Sequence, residues 1–443
     1  MGDAPSEKRG LSPVFAVIES IDHEGVGVAH VDGKVTFIDG GVTGEVVEFS
    51  RRRSRGNFDL GTVTRVVRES AQRVTPRCRY FGVCGGCAMQ HVETAAQVAA
   101  KQRVLEDNLA RIGKVTPEGM LPPVIGQAWG YRNRARLSVR YVTKKGESLV
   151  GFRENKSTYV ANIQSCEVLA PAVSRLIPGL RALFTSMSIR ERIPQLEIAV
   201  GENVTVFVLR HLVPVPDEDA AKLRDFADRH GIQWWLQPQG PDSVRPFHPL
   251  DAPALDYRLP EFGITLGFGP TDFTQVNAGV NRVLVRRAVD LLDPQPGERV
   301  GDLFCGLGNF TLAIATRGAE VVGMEGSSVL VRRAADNARA NDLAARTRFL
   351  VHDLYTDAAG ALAKLGRVDK LLIDPPRDGA VEICKEIGDD GPGRIVYVSC
   401  SPATLARDAN VLVNVKGYRL VAAGVVNMFP HTGHVESIAL FER

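Results

Sequence analysis

The sequence predicts a multi-domain α/β protein in three parts. They are an N-terminal OB-like β-barrel at 10–70, a central α+β domain at 71–265 and a C-terminal Rossmann-like, doubly wound domain at 266–443. Three observations carry this expectation. Short β-branched runs broken by Gly25, Gly33, Gly40 and Gly44 fill the first part. A middle stretch mixes strand-like and helical segments without regular alternation. From Gln275 onward, apolar strands alternate with helices, which is the pattern of a parallel sheet covered on both faces.

In the first part, V-F-A-V-I, K-V-T-F-I-D, E-V-V-E-F and G-T-V-T-R-V-V read as strands of a small barrel. Val92 to Ile112 is rich in helix formers and predicts a helix. In the middle, A-R-L-S-V-R-Y-V, Q-L-E-I-A-V and N-V-T-V-F-V-L read as strands, and Asp217 to His230 as a helix. The sheet region predicts strands at Arg299–Phe304, Glu320–Glu325, Arg348–Asp353, Val368–Asp374 and Arg394–Cys400, with a helix at Ser327–Ala340.

With 443 residues, 44% hydrophobic and 24% charged, the chain has globular composition. It contains no apolar run of membrane-spanning length. Met1 to Gly10 is polar, so a cytoplasmic protein is expected, a monomer by default and without an obligate protein partner. The net charge of +3 is modest, but arginine is clustered. Arg51, Arg52, Arg53 and Arg55 form one run, and Arg65, Arg68, Arg73, Arg77 and Arg79 follow. Arg132, Arg134, Arg136 and Arg140 stand beside Trp129 and Tyr131. Arginine among aromatics suits phosphate pairing and base stacking, so a nucleic-acid partner is expected.

The chemistry concentrates at strand ends. G-D-L-F-C-G-L-G-N-F reads as a strand, a glycine turn and a helix start. About 20 residues on, Glu325 closes the next strand, where an acid can take ribose hydroxyls. Asp353 and Asp374 close two more strands. Successive acids and the absent third glycine favour S-adenosylmethionine, a cation without pyrophosphate, over a dinucleotide. Cys400, delivered by R-I-V-Y-V-S-C-S-P, is the candidate nucleophile. Thiolate addition to carbon six of a pyrimidine makes carbon five nucleophilic toward a methyl donor. A base must then remove the carbon-five proton, and Glu436 in P-H-T-G-H-V-E-S is the candidate. Arg377 in D-P-P-R replaces the aromatic expected of an exocyclic-amine methyltransferase. His431 and His434 have a spacing that a metal could use, but loop hydrogen bonds account for them. Cys305 and Cys384 read as core fillers.

Seven cysteines include Cys78, Cys84 and Cys87 within ten residues. Cys166 is the available fourth thiol before the sheet region. Spacing alone leaves zinc and an iron–sulfur cluster both open.

These motifs, with T-D-F-T-Q-V-N, L-I-D-P-P-R, V-Y-V-S-C-S-P-A-T-L-A-R-D, M-F-P-H-T-G-H-V-E-S and R-C-R-Y-F-G-V-C-G-G-C, resemble the RNA uracil-5-methyltransferase family over nearly the whole chain. The resemblance implies that the barrel is a TRAM domain and that the nucleic-acid partner is RNA. It further implies Cys400 as nucleophile and Glu436 as base. Gln275, Phe304, Asn309, Glu325, Asp353 and Asp374 would contact S-adenosylmethionine. Cys78, Cys84, Cys87 and Cys166 would hold a [4Fe-4S] cluster. A TRAM barrel combined with that cluster implies the branch acting on 23S ribosomal RNA. The alternatives are a tRNA uracil-5-methyltransferase, an RNA cytosine-5-methyltransferase, an amine methyltransferase and a non-catalytic RNA-binding iron–sulfur protein. The cytosine enzyme would carry a second cysteine near the Asp-Pro motif, where Arg377 stands instead.

Overall fold

A computed structural model describes residues 14–443. The polar start and the first residues of the expected barrel lie outside the described residues. Six strands make the N-terminal unit: β1 (Val14–Val17), β2 (Ser20–Ile21), β3 (Gly27–Val31), β4 (Lys34–Asp39), β5 (Val46–Ser54) and β6 (Phe58–Arg68). Their order is β1-β5-β6-β4-β3-β2. Alternating inward residues, among them Ala29, Val31, Ile38, Val47 and Phe49, make its small core.

Helix α1 (Thr94–Asn108) follows, capped by the Glu93 carboxylate accepting from Ala96 N–H. It is shorter than the predicted span, because a wider turn at Leu109–Gly113 and left-handed Lys114 end it. Its apolar residues Val98 and Leu105, with Leu109 just past its end, join the core beneath the C-terminal sheet. The short strand β7 (Gly119–Met120) then pairs at the far edge of that same sheet.

The middle of the chain forms a second six-stranded sheet. Its strands are β8 (Arg134–Val142), β9 (Glu147–Gly151), β10 (Gln195–Val200), β11 (Thr205–Arg210), β12 (Ile232–Gln237) and β13 (Arg245–His248). Helices α2 (Ile177–Ser186) and α3 (Asp217–His230) pack on it around Phe184, Phe207, Phe226 and Trp234. A hairpin of β14 (Asp256–Leu259) and β15 (Ile264–Gly267) packs against the third sheet.

The third sheet contains β16 (Arg299–Leu303), β17 (Glu320–Glu325), β18 (Thr347–Val351), β19 (Lys370–Ile373), β20 (Arg394–Ser399), β21 (Arg419–Val426) and β22 (Glu436–Glu442). Helices α4 (Ala278–Leu292), α5 (Thr311–Ala315), α6 (Ser328–Ala340), α7 (Ala358–Leu365), α8 (Val381–Glu386) and α9 (Pro402–Asn410) surround it. The order is β18-β17-β16-β19-β20-β22-β21-β7. The strands β16 to β20 run parallel, and β22 is antiparallel to both neighbours. The chain leaves β16 toward one edge and returns at β19 toward the other. That reversal opens a crevice at the carboxyl ends of the strands.

Several predicted strands run one to three residues long. Phe304 and Cys400 fall just past β16 and β20, Asp353 two residues past β18, and Asp374 just past β19. The chain must turn out of the sheet there to expose side chains to a ligand. Among the described residues, no helix is long and apolar enough to cross a membrane.

Candidate active site

The antiparallel strand β22 is what completes the site. Its register pairs Ser437 with Ser399 of β20, so Glu436 lies at the position facing Cys400. Because β22 runs against β20, its first residue reaches the same sheet edge as the last residues of the parallel strands. Glu436 is buried, at 8% exposure. Its carboxyl is pushed up to about 8 by burial and then by Asp374, against the pull of Arg377 and Lys101. Cys400 is half-buried. Its thiol is pushed up to about 11 by burial, Glu436 and Asp374, with Arg377 opposing. Asp374, raised to about 7 by burial, begins the D-P-P-R turn beside them. In this state the thiol holds its proton, and the neighbouring acids penalise a second negative charge.

The crevice beside this pair is lined with acids. Gly306 and Gly308 take φ of 56° and 96° as the chain leaves β16, the left-handed backbone that glycine adopts without a side-chain clash. Phe304 also has positive φ, at 64°, and its ring meets Tyr355 at 5.4 Å. Glu325 accepts from Ser327 N–H at 2.9 Å and from Gly306 N–H at 3.3 Å, which ties the end of β17 to the glycine turn. Asp302 is fully buried on β16 and accepts from the Thr311 hydroxyl. Its carboxyl is lifted to about 7 by burial, with Asp374 and Glu325 adding to the effect. Its other oxygen is buried without a partner. A cationic ligand would relieve the strain that burial, Asp374 and Glu325 put on the Asp302 carboxyl.

Not every expected cofactor residue is equally available. Gln275 is half-buried on the loop before α4. Asn309 turns its side chain away to bond Tyr257 and Asn281, at 2.9 to 3.1 Å, and so locks the glycine turn to α4 and the hairpin. Asp353 is exposed and caps the turn after β18, with one oxygen accepting from Tyr355 and Thr356 N–H. Those two bonds hold its carboxyl below the usual range.

His431 and His434 do not face one ion. His431 Nδ1 meets the Gln97 amide at 3.1 Å, and its ring stacks on Trp129 at 3.8 Å. His434 Nδ1 meets the Arg377 guanidinium at 2.7 Å. Cys305 and Cys384 are buried in the core.

Cys78, Cys84, Cys87 and Cys166 line one small apolar cavity with Tyr80, Phe152 and Ile163. Gln90 accepts from Cys78 N–H at 3.0 Å, and Ser174 accepts from Cys166 N–H at 2.8 Å, fixing both backbones. Burial, reinforced by the other thiols, pushes Cys87 to about 12; burial raises Cys166 to about 11. Yet among the described residues, no group of three or more His, Cys, Asp or Glu stands close enough to hold a single metal ion. Thiolates on one zinc, with bonds of about 2.3 Å, would have to approach within about 4 Å of one another. The cavity gathers four thiols without drawing them onto one point.

The basic runs are less free than the sequence suggests. Arg51 pairs with Asp32 and Asp59, Arg65 with Glu48, Arg73 with Glu45, Arg77 with Glu167 and Arg136 with Glu197. Arg134 is turned inward to Pro270 O. Arg53, Arg55, Arg68, Arg79 and Arg140 are exposed without an acidic partner among the described residues.

Two side chains near the site went unnoticed in the sequence, Gln97 and Lys101. Both are buried on α1, on or beside its apolar stripe. A polar residue in an apolar stripe was the available signal.

A profile described as tRNA (Uracil-5-)-methyltransferase matches residues 264–443. The 23S rRNA (uracil(1939)-C(5))-methyltransferase RlmD of Thiobacillus denitrificans is 60% identical over 434 residues, spanning 98% of this chain and 100% of that protein. The protein of the same name from Azoarcus sp. is 58% identical, spanning 97% and 99%. A solved structure, the Pyrococcus abyssi tRNA (uracil-54, C5)-methyltransferase in complex with S-adenosyl-L-homocysteine, superposes with a TM-score of 0.73. It covers 96% of this chain and 99% of that one at 24% identity, and so shares its fold.

Proposed function

The chain belongs to the RNA uracil-5-methyltransferase family, and on that premise we propose that it methylates carbon five of a uridine in 23S ribosomal RNA in the cytoplasm. The observation that carries this reading is the β20–β22 register, whose last pair, Ser399 with Ser437, sets Cys400 and Glu436 next to one another, with Glu436 bearing on the thiol. S-adenosylmethionine, when bound, supplies an electrophilic methyl group. Glu325, Asp374 and the Gly306–Gly308 turn are the residues that would hold it. Gln275, Phe304 and Asp353 would border the same crevice, and Asn309 would shape it through its bonds to Tyr257 and Asn281.

The uridine leaves its stack to reach the crevice. Cys400, as thiolate, adds to carbon six and moves the ring electrons toward carbon five. Arg377 favours that thiolate, in opposition to the two carboxyls. After carbon five is methylated, Glu436 takes its proton. The carbon–hydrogen pair becomes the ring double bond, and the carbon–sulfur bond breaks to return the Cys400 thiolate. The net release is one proton, which Glu436 passes to water.

Cys78, Cys84, Cys87 and Cys166 would hold a [4Fe-4S] cluster. What supports this reading is the one cavity that gathers the four thiols, the number of thiolates such a cluster takes. Such a cluster would supply a structural staple between the cysteine loop and the segment after β9. The N-terminal sheet reads as a TRAM barrel that grips phosphates, with Arg53, Arg55 and Arg68 exposed for contact.

The test is direct. Ribosomal RNA from cells lacking the protein should lose one 5-methyluridine, and the purified protein should restore it. Cys400→Ala should lower turnover by at least about three orders of magnitude and abolish covalent trapping of a 5-fluorouridine RNA. Trapping on any other peptide would overturn the reading.

A further inference from the structure

Helix α1 spends part of its buried face on polar groups. Lys101 is 1% exposed and Gln97 is fully buried. A buried ammonium is costly unless it is held and used. Lys101 Nζ donates to Asn427 Oδ1 and to Phe429 O, both at 2.9 Å. One turn earlier, Gln97 Oε1 accepts from His431 N–H at 2.9 Å. Both side chains therefore clamp the segment between β21 and Glu436. Its outer side is held as well: Ala88 N–H donates to His431 O at 2.8 Å, and the Tyr131 hydroxyl donates to Pro430 O at 3.0 Å.

The partners of Lys101 are neutral oxygens, and it makes no ion pair among the described residues. Burial pulls its ammonium down to about 8, with Glu436 opposing, so it carries its charge at pH 7 and loses it as pH climbs past 8. Four ionisable groups bear on Glu436: Asp374 and Arg377 from the turn after β19, Cys400 from the end of β20, and Lys101 from α1. Beyond Lys101 on the loop side stands His431, and beside Arg377 stands His434. Arg377 is exposed on its turn, where solvent screens it. Lys101 is the cation that acts on Glu436 from inside the protein. A neutral Gln or Asn could supply hydrogen bonds to the loop, but only a cation also favours the ionised carboxylate.

We propose that Lys101 is a positioning residue for proton removal: it fixes the 427–431 segment and favours the ionised form of Glu436 that must take the carbon-five proton. This rests on the proposed role of Glu436 as base. Lys101 touches neither uridine nor methyl donor in this role. It acts through the carboxylate that receives the proton, before the carbon–sulfur bond opens.

The experiment is a single-turnover assay on the full-length protein with an RNA stem-loop and S-adenosylmethionine. Denaturing gels read the covalent protein–RNA species, and nucleoside analysis reads released 5-methyluridine, from pH 6 to 9. Lys101→Met and Lys101→Gln should still form the covalent species. At pH 7 they should release product at least tenfold more slowly and accumulate the adduct. Their release midpoint should move up by about one pH unit, the equivalent of that tenfold change. Lys101→Arg, which stays charged across the whole range, should not raise the midpoint above the parental one. Gln97→Ala, which loosens the clamp without removing a charge, should slow release with no shift in midpoint. Glu436→Gln, run alongside, should trap adduct at every pH. If Glu436→Gln releases product normally, the base assignment falls and the proposal with it. If Glu436→Gln traps adduct but Lys101→Gln and Lys101→Met keep the parental midpoint, Lys101 is only a structural clamp and the proposal alone is overturned. Melting curves of each variant exclude misfolding, and Lys101→Gln serves where Lys101→Met does not fold.

Discussion

Glu436→Gln should make the protein more stable as it stops turnover, by a margin set by pH. The carboxyl is buried and its pKa rises from 4.5 to about 8. Between those values the folded state keeps a proton that the unfolded chain has lost. Stability therefore falls as pH climbs through this window, and the full cost is reached above pH 8. At about 1.36 kcal/mol per pKa unit, the cost is about 2 kcal/mol at pH 6 and about 5 kcal/mol at pH 9. Glutamine keeps the shape and removes the titration. The stability difference between variant and parent should thus grow by about 3 kcal/mol from pH 6 to pH 9. For a domain of this size, one kcal/mol moves Tm by about 2–4 °C, so the gap should widen by roughly 6–12 °C. Thermal and urea unfolding across that range, without RNA, would measure it. A gap that stays constant, or narrows with rising pH, would refute the claim that burial and Asp374 hold this carboxyl protonated. The effect is a trade of stability for function at one residue.

Two further outcomes follow from other parts of the structure. Gly308→Ala forces a side chain into φ of 96°, a strain of about 1–3 kcal/mol; calorimetry should show S-adenosylhomocysteine binding weakened by roughly tenfold or more, and unchanged affinity would argue against the turn as cofactor cradle. Cys84→Ser with Cys87→Ser should abolish bound iron and acid-labile sulfide and open the 78–91 loop to protease, whereas Cys384→Ala should retain both metal and protection; equal iron content in the two proteins would remove the cluster from this cavity.

Much of this was legible in the linear chain. The sheet strands could be read because strands buried on both faces need unbroken β-branched and apolar runs, as in Ile395 to Val398. Cys400, Glu325 and Asp374 could be singled out because a polar residue closing such a run has to leave the sheet. The alternation of α3 with β12 was hidden, since the middle sheet mixes parallel and antiparallel pairs and its helices lie on irregular connections. The strength of the arginine runs was overstated, because composition does not reveal which guanidinium already faces an acid. Asn309 illustrates the same limit: its place in the glycine turn was visible, but its engagement with Tyr257 and Asn281 was not.

By itself the sequence determined the secondary-structure alphabet, the residues able to do the chemistry and the strand ends that carry them, because these follow from local periodicity and side-chain type. Only the tertiary structure decided that β22 runs backwards beside β20 and brings Glu436 opposite Cys400. It likewise decided that α1 packs under the third sheet and sets Lys101 on the 427–431 segment, where its charge bears on that carboxylate. Strand direction and helix docking are fixed by burial summed over the whole chain, and no short stretch of residues encodes that sum.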